Sequence, residues 1–121
     1  MIVLTSEPHF KQVFIDEKPT AAILGFFADW CAPSRRQKPL LEALAEEFKG
    51  RAVFACIDVD ALESLAESFE VRTLPSLALF SKGEHLETLI GFQQDTYIRE
   101  FLDAIIAMEN PQKPANPLSS Q

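Results

Sequence analysis

The sequence is short of cysteine, of glycine and of positive charge, and each shortage closes a class of function. Cys31 and Cys56 are the only cysteines in 121 residues, too few to staple a small secreted scaffold, and a reducing compartment keeps such thiols free. The four glycines, Gly25, Gly50, Gly83 and Gly91, lie too far apart to form a phosphate-cradling loop, which removes P-loop and dinucleotide-binding chemistry. Eleven Lys and Arg stand against 18 Asp and Glu, and the resulting net charge of -7 argues against nucleic acid or an anionic membrane as partner. No apolar run approaches the roughly 18 residues of a membrane span. The opening segment Met1 to Glu7 has no basic stretch followed by an apolar one, so the expected location is the cytoplasm.

What is there reads as an ordinary globular chain, 47% hydrophobic and 24% charged. Its length fits one domain of the usual ~150-residue class. Ile2 to Leu4 suits a short strand, followed by a helix capped by Thr5 or Ser6 that carries Phe10, Val13 and Phe14 on one face. The continuous apolar run Ala21 to Phe27 predicts a strand covered on both faces. From about Ser34, Leu40, Leu41, Leu44 and Phe48 keep helical spacing up to a stop at Gly50, with Pro39 inside. Ala52 to Asp58 predicts a second buried strand, and Asp60 with Glu63 a capping pair for a helix lined by Leu62, Leu65, Ala66 and Phe69. Ser76 to Phe80 and Leu86 to Ile90 predict an antiparallel hairpin joined through Ser81-Lys82-Gly83-Glu84, with Gly83 at positive φ. A last helix places Ile98, Phe101, Leu102 and Ile105 on one face. The proline-bearing segment after it gives a domain over 1–109 and a disordered tail over 110–121.

The order β-α-β-α-β-α-β-β-α predicts an α/β protein. Its mixed central sheet has three parallel-type strands plus an antiparallel C-terminal hairpin, flanked by four helices. Right-handed crossovers put the loop Asp29-Trp30-Cys31-Ala32-Pro33-Ser34 at the carboxyl edge of that sheet, where open α/β folds build sites.

Cys31 falls where a buried strand ends and a helix begins, so the unpaired amides of the first turn favour its ionised, nucleophilic form. Pro33 fits an early helical position, Ser34 is placed to donate a hydrogen bond to the sulfur, Arg35 and Arg36 bring positive charge, and Trp30 adds an apolar flank. Cys56, inside an apolar strand, reads as a packed core residue, with a disulfide to Cys31 as the alternative. His9 and His85 have no partner at ligand spacing, so neither a metal nor another cofactor is expected. Asp58, Asp60, Glu63, Glu67 and Glu70 read as a solvated face.

The segment Phe26-Phe27-Ala28-Asp29-Trp30-Cys31-Ala32-Pro33-Ser34 resembles the active-site segment of the thioredoxin family, in which Trp-Cys-x-Pro-Cys follows the central strand. The resemblance runs from about residue 2 to 108 through Pro39, Thr73-Leu74-Pro75-Ser76, Lys82-Gly83 and Gly91. It implies a thioredoxin-like fold and a cis Leu74–Pro75 bond facing the sulfur. It also implies a substrate groove formed by Trp30, Pro33, Thr73, Leu74, Pro75, Gly91 and Phe92. Three positions depart from the family pattern. Ser34 stands at the second cysteine, Gly25 at a buried Asp that moves protons, and Cys56 at the Lys that partners it. A polar, water-filled cavity at Gly25 is one way the fold would tolerate that change.

All three departures touch the half-reaction that resolves a mixed disulfide. The expectation is thiol–disulfide exchange on protein or glutathione disulfides through Cys31 alone, with Ser34 beside it and release by an external thiol or a thioredoxin-reductase-type reductant. Two alternatives stay open. One is an ordinary dithiol thioredoxin carrying an introduced Ser34, and the other is a redox-inactive binding or chaperone-like module.

Overall fold

A computed structural model describes residues 1–109, so the tail expected over 110–121 lies outside the described residues. Five strands form one sheet: β1 (Ile2–Val3), β2 (Ala22–Phe27), β3 (Val53–Asp58), β4 (Ser76–Ser81) and β5 (Glu84–Ile90), in spatial order β1-β3-β2-β4-β5. β1 and β2 both run parallel to β3, whereas β4 lies antiparallel to β2 and β5 antiparallel to β4. This is the mixed sheet expected from the element order.

β2 is central and buried at all six positions. Its side chains alternate between two cores. Ile23 and Phe27 face a cluster with Leu41, Leu44, Leu77, Ile98 and Leu102. Leu24 and Phe26 face a second cluster with Phe14, Ile57, Leu65 and Phe80. Helices α2 (Ala32–Glu47) and α4 (Asp95–Glu109) cover the first face; α1 (Glu7–Phe10) and α3 (Glu63–Ser68) cover the second. Both faces being apolar explains why β2 reads as an unbroken hydrophobic run rather than an alternating one.

The cap of the first helix is one of the two expected residues, and several other local details differ from the sequence reading. Ser6 is the cap of α1, its Oγ accepting the His9 N–H at 3.1 Å. The helix then widens into π-type turns over Lys11–Asp16, closed by Glu17 N–H to the Gln12 carbonyl at 3.1 Å. The α2 helix starts at Ala32, two residues before the expected Ser34. The hairpin closes on two residues, not four: Lys82 and Gly83 both take positive φ (53° and 83°), and the strands extend to Ser81 and Glu84. That is the geometry whose twist matches the flanking strands. Asp60 and Glu63 do not cap α3, whose N-cap is Leu62 without a side-chain hydrogen bond. The Asp60 carboxylate is committed elsewhere, to Trp30.

Candidate active site around Cys31

The end of β2 delivers Ala28 to Ser34 to the carboxyl edge of the sheet, and Cys31 is the N-cap residue of α2. Its backbone is extended (φ -104°, ψ 115°), its N–H donates to the Ala28 carbonyl at 3.2 Å, and its carbonyl accepts from Arg35 N–H at 3.1 Å. Pro33 sits at the second helical position, where its missing N–H costs nothing. The side chain of Cys31 is half-buried, and its S–H donates to the Leu74 carbonyl at 3.6 Å. The Cys31 sulfur is thus held between a helix start and the loop before β4.

That loop contains the cis Leu74–Pro75 peptide bond. Pro75 is buried, Leu74 half-buried and Thr73 exposed. The Pro75 carbonyl accepts the Gly91 N–H at 2.8 Å, and Gly91 takes φ +85°, a conformation that favours glycine. Phe92 follows, half-buried beneath the Arg36 guanidinium at 5.6 Å. Trp30 is 69% exposed, and its indole N–H donates to the Asp60 carboxylate at 2.8 Å. An apolar pocket of about 290 Å³ opens beside the sulfur, lined by Trp30, Cys31, Val59, Ala66, Val71, Arg72 and Leu74.

The structure gathers Trp30, Cys31 and Leu74 at this pocket. Pro33, Thr73, Pro75, Gly91 and Phe92 do not line it. Val59, Ala66, Val71 and Arg72 were missed by sequence reasoning. Val71 and Arg72 precede Thr73-Leu74-Pro75 directly, which is the signal that would have included them.

Two expected supports of the sulfur are directed elsewhere. The Ser34 hydroxyl is buried and accepts the Ala28 N–H at 3.1 Å; its hydrogen bond is to the backbone, not to Cys31. Arg35 donates to the Asp29 carbonyl at 2.7 Å and Arg36 stacks on Phe92, so both guanidinium groups already have partners.

Cys56 pairs in register with Gly25 across β2 and β3. It packs in the core with Phe27 and Leu41, and burial pushes its thiol up from the ordinary value. Cys31 and Cys56 are both free. No polar cavity opens at Gly25: the Phe27 ring lies back over it, with Cε2 2.5 Å and Cζ 2.7 Å from where a β-carbon would stand. Of the histidines, His85 rests against Phe69 and Phe80 and hydrogen-bonds Thr88. Asp58, Asp60, Glu63, Glu67 and Glu70 are all exposed.

The family model for thioredoxin matches residues 1–104. The chain belongs to the thioredoxin family. It is 38% identical over 81 residues to the thioredoxin of Staphylococcus haemolyticus, covering 67% of this chain and 78% of that protein. Its fold superposes on a mutant thioredoxin from Halobacterium salinarum with TM-score 0.78 at 30% identity, over 87% of this chain and 89% of the other. Thioredoxin from Fasciola hepatica gives TM-score 0.78 at 30% identity, over 86% and 98% of the two chains. As a thioredoxin-family protein it is a thiol–disulfide oxidoreductase acting on disulfide-bearing proteins. Among the described residues, no helix is long and apolar enough to cross a membrane.

Proposed function

We propose that this thioredoxin-family protein exchanges disulfides through Cys31 alone and depends on an external thiol for release. The carrying observation is the fate of position 34, where the hydroxyl is buried and bound to the Ala28 N–H. The other thiol, Cys56, is packed in the core on β3. In the first step the Cys31 thiol releases its proton to water and its sulfur attacks one sulfur of the target disulfide. The target S–S bond breaks, a mixed disulfide forms, and the departing thiolate takes a proton from water. Ser34 carries no sulfur, and its hydroxyl is far less acidic than a thiol, so it neither ionises nor expels the bound partner. Glutathione, or a reductase-type dithiol, supplies the second thiolate; it attacks the target sulfur of the mixed disulfide, the bond to Cys31 breaks, Cys31 leaves as a thiolate, and a new disulfide joins the target to the incoming thiol, which a second thiol then reduces.

Trp30, Pro33, Thr73, Leu74, Pro75, Gly91 and Phe92 form the substrate surface in this reading, and residues 1–109 form the working unit. A reducing compartment such as the cytoplasm fits two unpaired thiols.

The test is mass spectrometry after mixing the protein with a disulfide-linked peptide dimer. One peptide adduct on Cys31 is expected, persisting until glutathione is added and absent from Cys31→Ala. Peptide capture that survives Cys31→Ala would instead establish a non-redox binding module. Rapid insulin reduction on restoring cysteine with Ser34→Cys would favour a dithiol ancestor carrying an introduced serine.

A further inference from the structure

Among the described residues three polar side chains are buried, Ser34, Gln37 and Ser76, and each holds the backbone of a different loop around Cys31. Ser34 accepts from Ala28, at the end of β2. The Ser76 hydroxyl donates to the Thr73 carbonyl at 2.7 Å, inside the loop that carries the Leu74 carbonyl. Gln37 takes the third loop. Its Oε1 accepts the Gln93 N–H at 2.6 Å, and its Nε2 donates to the Gln93 carbonyl at 3.1 Å. The pair imitates one rung of a β-ladder, made by a helix side chain that is 0% exposed.

We infer that Gln37 is a positioning residue that fixes the Gly91–Gln93 wall of the substrate surface relative to the Cys31 sulfur. The connection is continuous. Cys31 caps α2, Gln37 lies on α2, Gln37 grips Gln93, and Gly91 N–H bonds the carbonyl of Pro75, whose neighbour Leu74 contacts the sulfur. Arg36, one residue before Gln37, stacks on Phe92 between the two anchor points. The Gly91 N–H bond to Pro75 sets this wall against the loop that carries Leu74, so it is a surface open to a target segment leading away from its reacting sulfur. Two hydrogen bonds from one rigid helix keep that wall at a set distance, which is how pre-positioning lowers the cost of docking an extended chain. A small disulfide with no flanking residues touches only the sulfur and gains nothing from the wall.

The inference rests on the Cys31 exchange reading, and the experiment separates the two. Rates of mixed-disulfide formation are measured for hydroxyethyl disulfide and for the disulfide dimer of a cysteine-containing heptapeptide. The proteins compared are the native chain, Gln37→Met and Gln37→Leu. Methionine keeps the length and packing of the side chain and removes both hydrogen bonds. The peptide rate is expected to fall roughly tenfold in Gln37→Met, the factor that about 1.4 kcal/mol of lost positioning gives. The hydroxyethyl disulfide rate stays unchanged. Gln37→Leu, which also removes both hydrogen bonds and adds no buried charge, is expected to give the same fall in the peptide rate, and it supplies the rate ratio should the methionine variant not fold. Equal slowing of both reagents, or no change in either, overturns the positioning role. A native chain that reacts with neither disulfide overturns the exchange reading itself.

Discussion

Phe27 occupies the space that a side chain at Gly25 would need. Residues 25 and 27 share one face of β2, and the ring folds back until its edge stands 2.5 Å from the site of a β-carbon, with Leu41 Cδ1 closing the space at 3.4 Å. The register partner of Gly25 on β3 is Cys56, buried and apolar in its surroundings. The interior at this point of β2 is therefore apolar, and no ionisable carboxylate fits there while Phe27 keeps this rotamer.

A side chain at position 25 must displace that ring. Gly25→Ala is expected to cost about 1–3 kcal/mol through overpacking. Gly25→Asp costs more, because it also buries a carboxyl group without a partner. In a Phe27→Leu background the Gly25→Ala penalty shrinks. Urea titration of the four proteins in a double-mutant cycle reads the coupling directly, and a coupling near zero would contradict the packing described here.

Ser34 is held by structure more than by chemistry. Ser34→Ala leaves the Ala28 N–H without its acceptor at a buried position, which is expected to lower stability by about 1–3 kcal/mol. Adduct formation by Cys31 should persist in that variant. Chemical denaturation together with the peptide-adduct assay checks both halves.

Cys56 ties stability to alkaline pH. Burial raises its thiol above the ordinary value, with Lys38, the N-terminal amine and Glu42 as lesser influences. Below the ordinary thiol pKa of about 8.5 the group is neutral in both states, and its contribution is fully present. As pH rises past that value the unfolded chain ionises first, so the contribution is lost progressively up to the raised folded value. Cys56→Ala is expected to cost about 1–2 kcal/mol at neutral pH through lost packing. It should also flatten the alkaline fall in melting temperature relative to the native chain.

Glu47 and Arg99 tie α2 to α4 on the surface. Arg99 Nε and an Nη donate to the two carboxylate oxygens at 2.8 and 2.9 Å, while Asp95 lies 3.3 Å from the same guanidinium. The hydrogen bonds from Arg99 hold the Glu47 carboxyl below its usual range, against a smaller opposing effect of desolvation. A depressed carboxyl contributes stability that is present above its unfolded pKa and is lost as pH falls through the folded value. An NMR titration of Glu47 should show its midpoint moving up in Arg99→Ala. An unmoved midpoint would mean the pair does not hold in solution.

The architecture was legible because apolar side chains announce burial through spacing. The run Ala21 to Phe27 is too short for a free-standing helix and suits a strand covered twice, and Ile98, Phe101, Leu102 and Ile105 keep the spacing of one helix face. Cys31 was legible as well, since a helix start after a buried strand is a local pattern. What escaped was decided by partners remote in sequence. Gln37 reads as an ordinary polar helix residue until Gln93, 56 positions away, arrives to bond it. Asp60 looks like a helix cap by its spacing to Glu63, yet its carboxylate is taken by Trp30 from 30 positions away. Spacing also failed at Gly25, where the missing side chain suggested empty room and a neighbouring aromatic fills it.

Trp30 is the sole tryptophan in the chain, adjacent to Cys31, largely open to solvent and tethered by one hydrogen bond to Asp60. Its ultraviolet emission is consequently a built-in gauge of the surroundings of Cys31. Any molecule that joins itself to Cys31 must arrive beside that indole, so the course of each encounter is recordable as a fluorescence trace without attaching a dye.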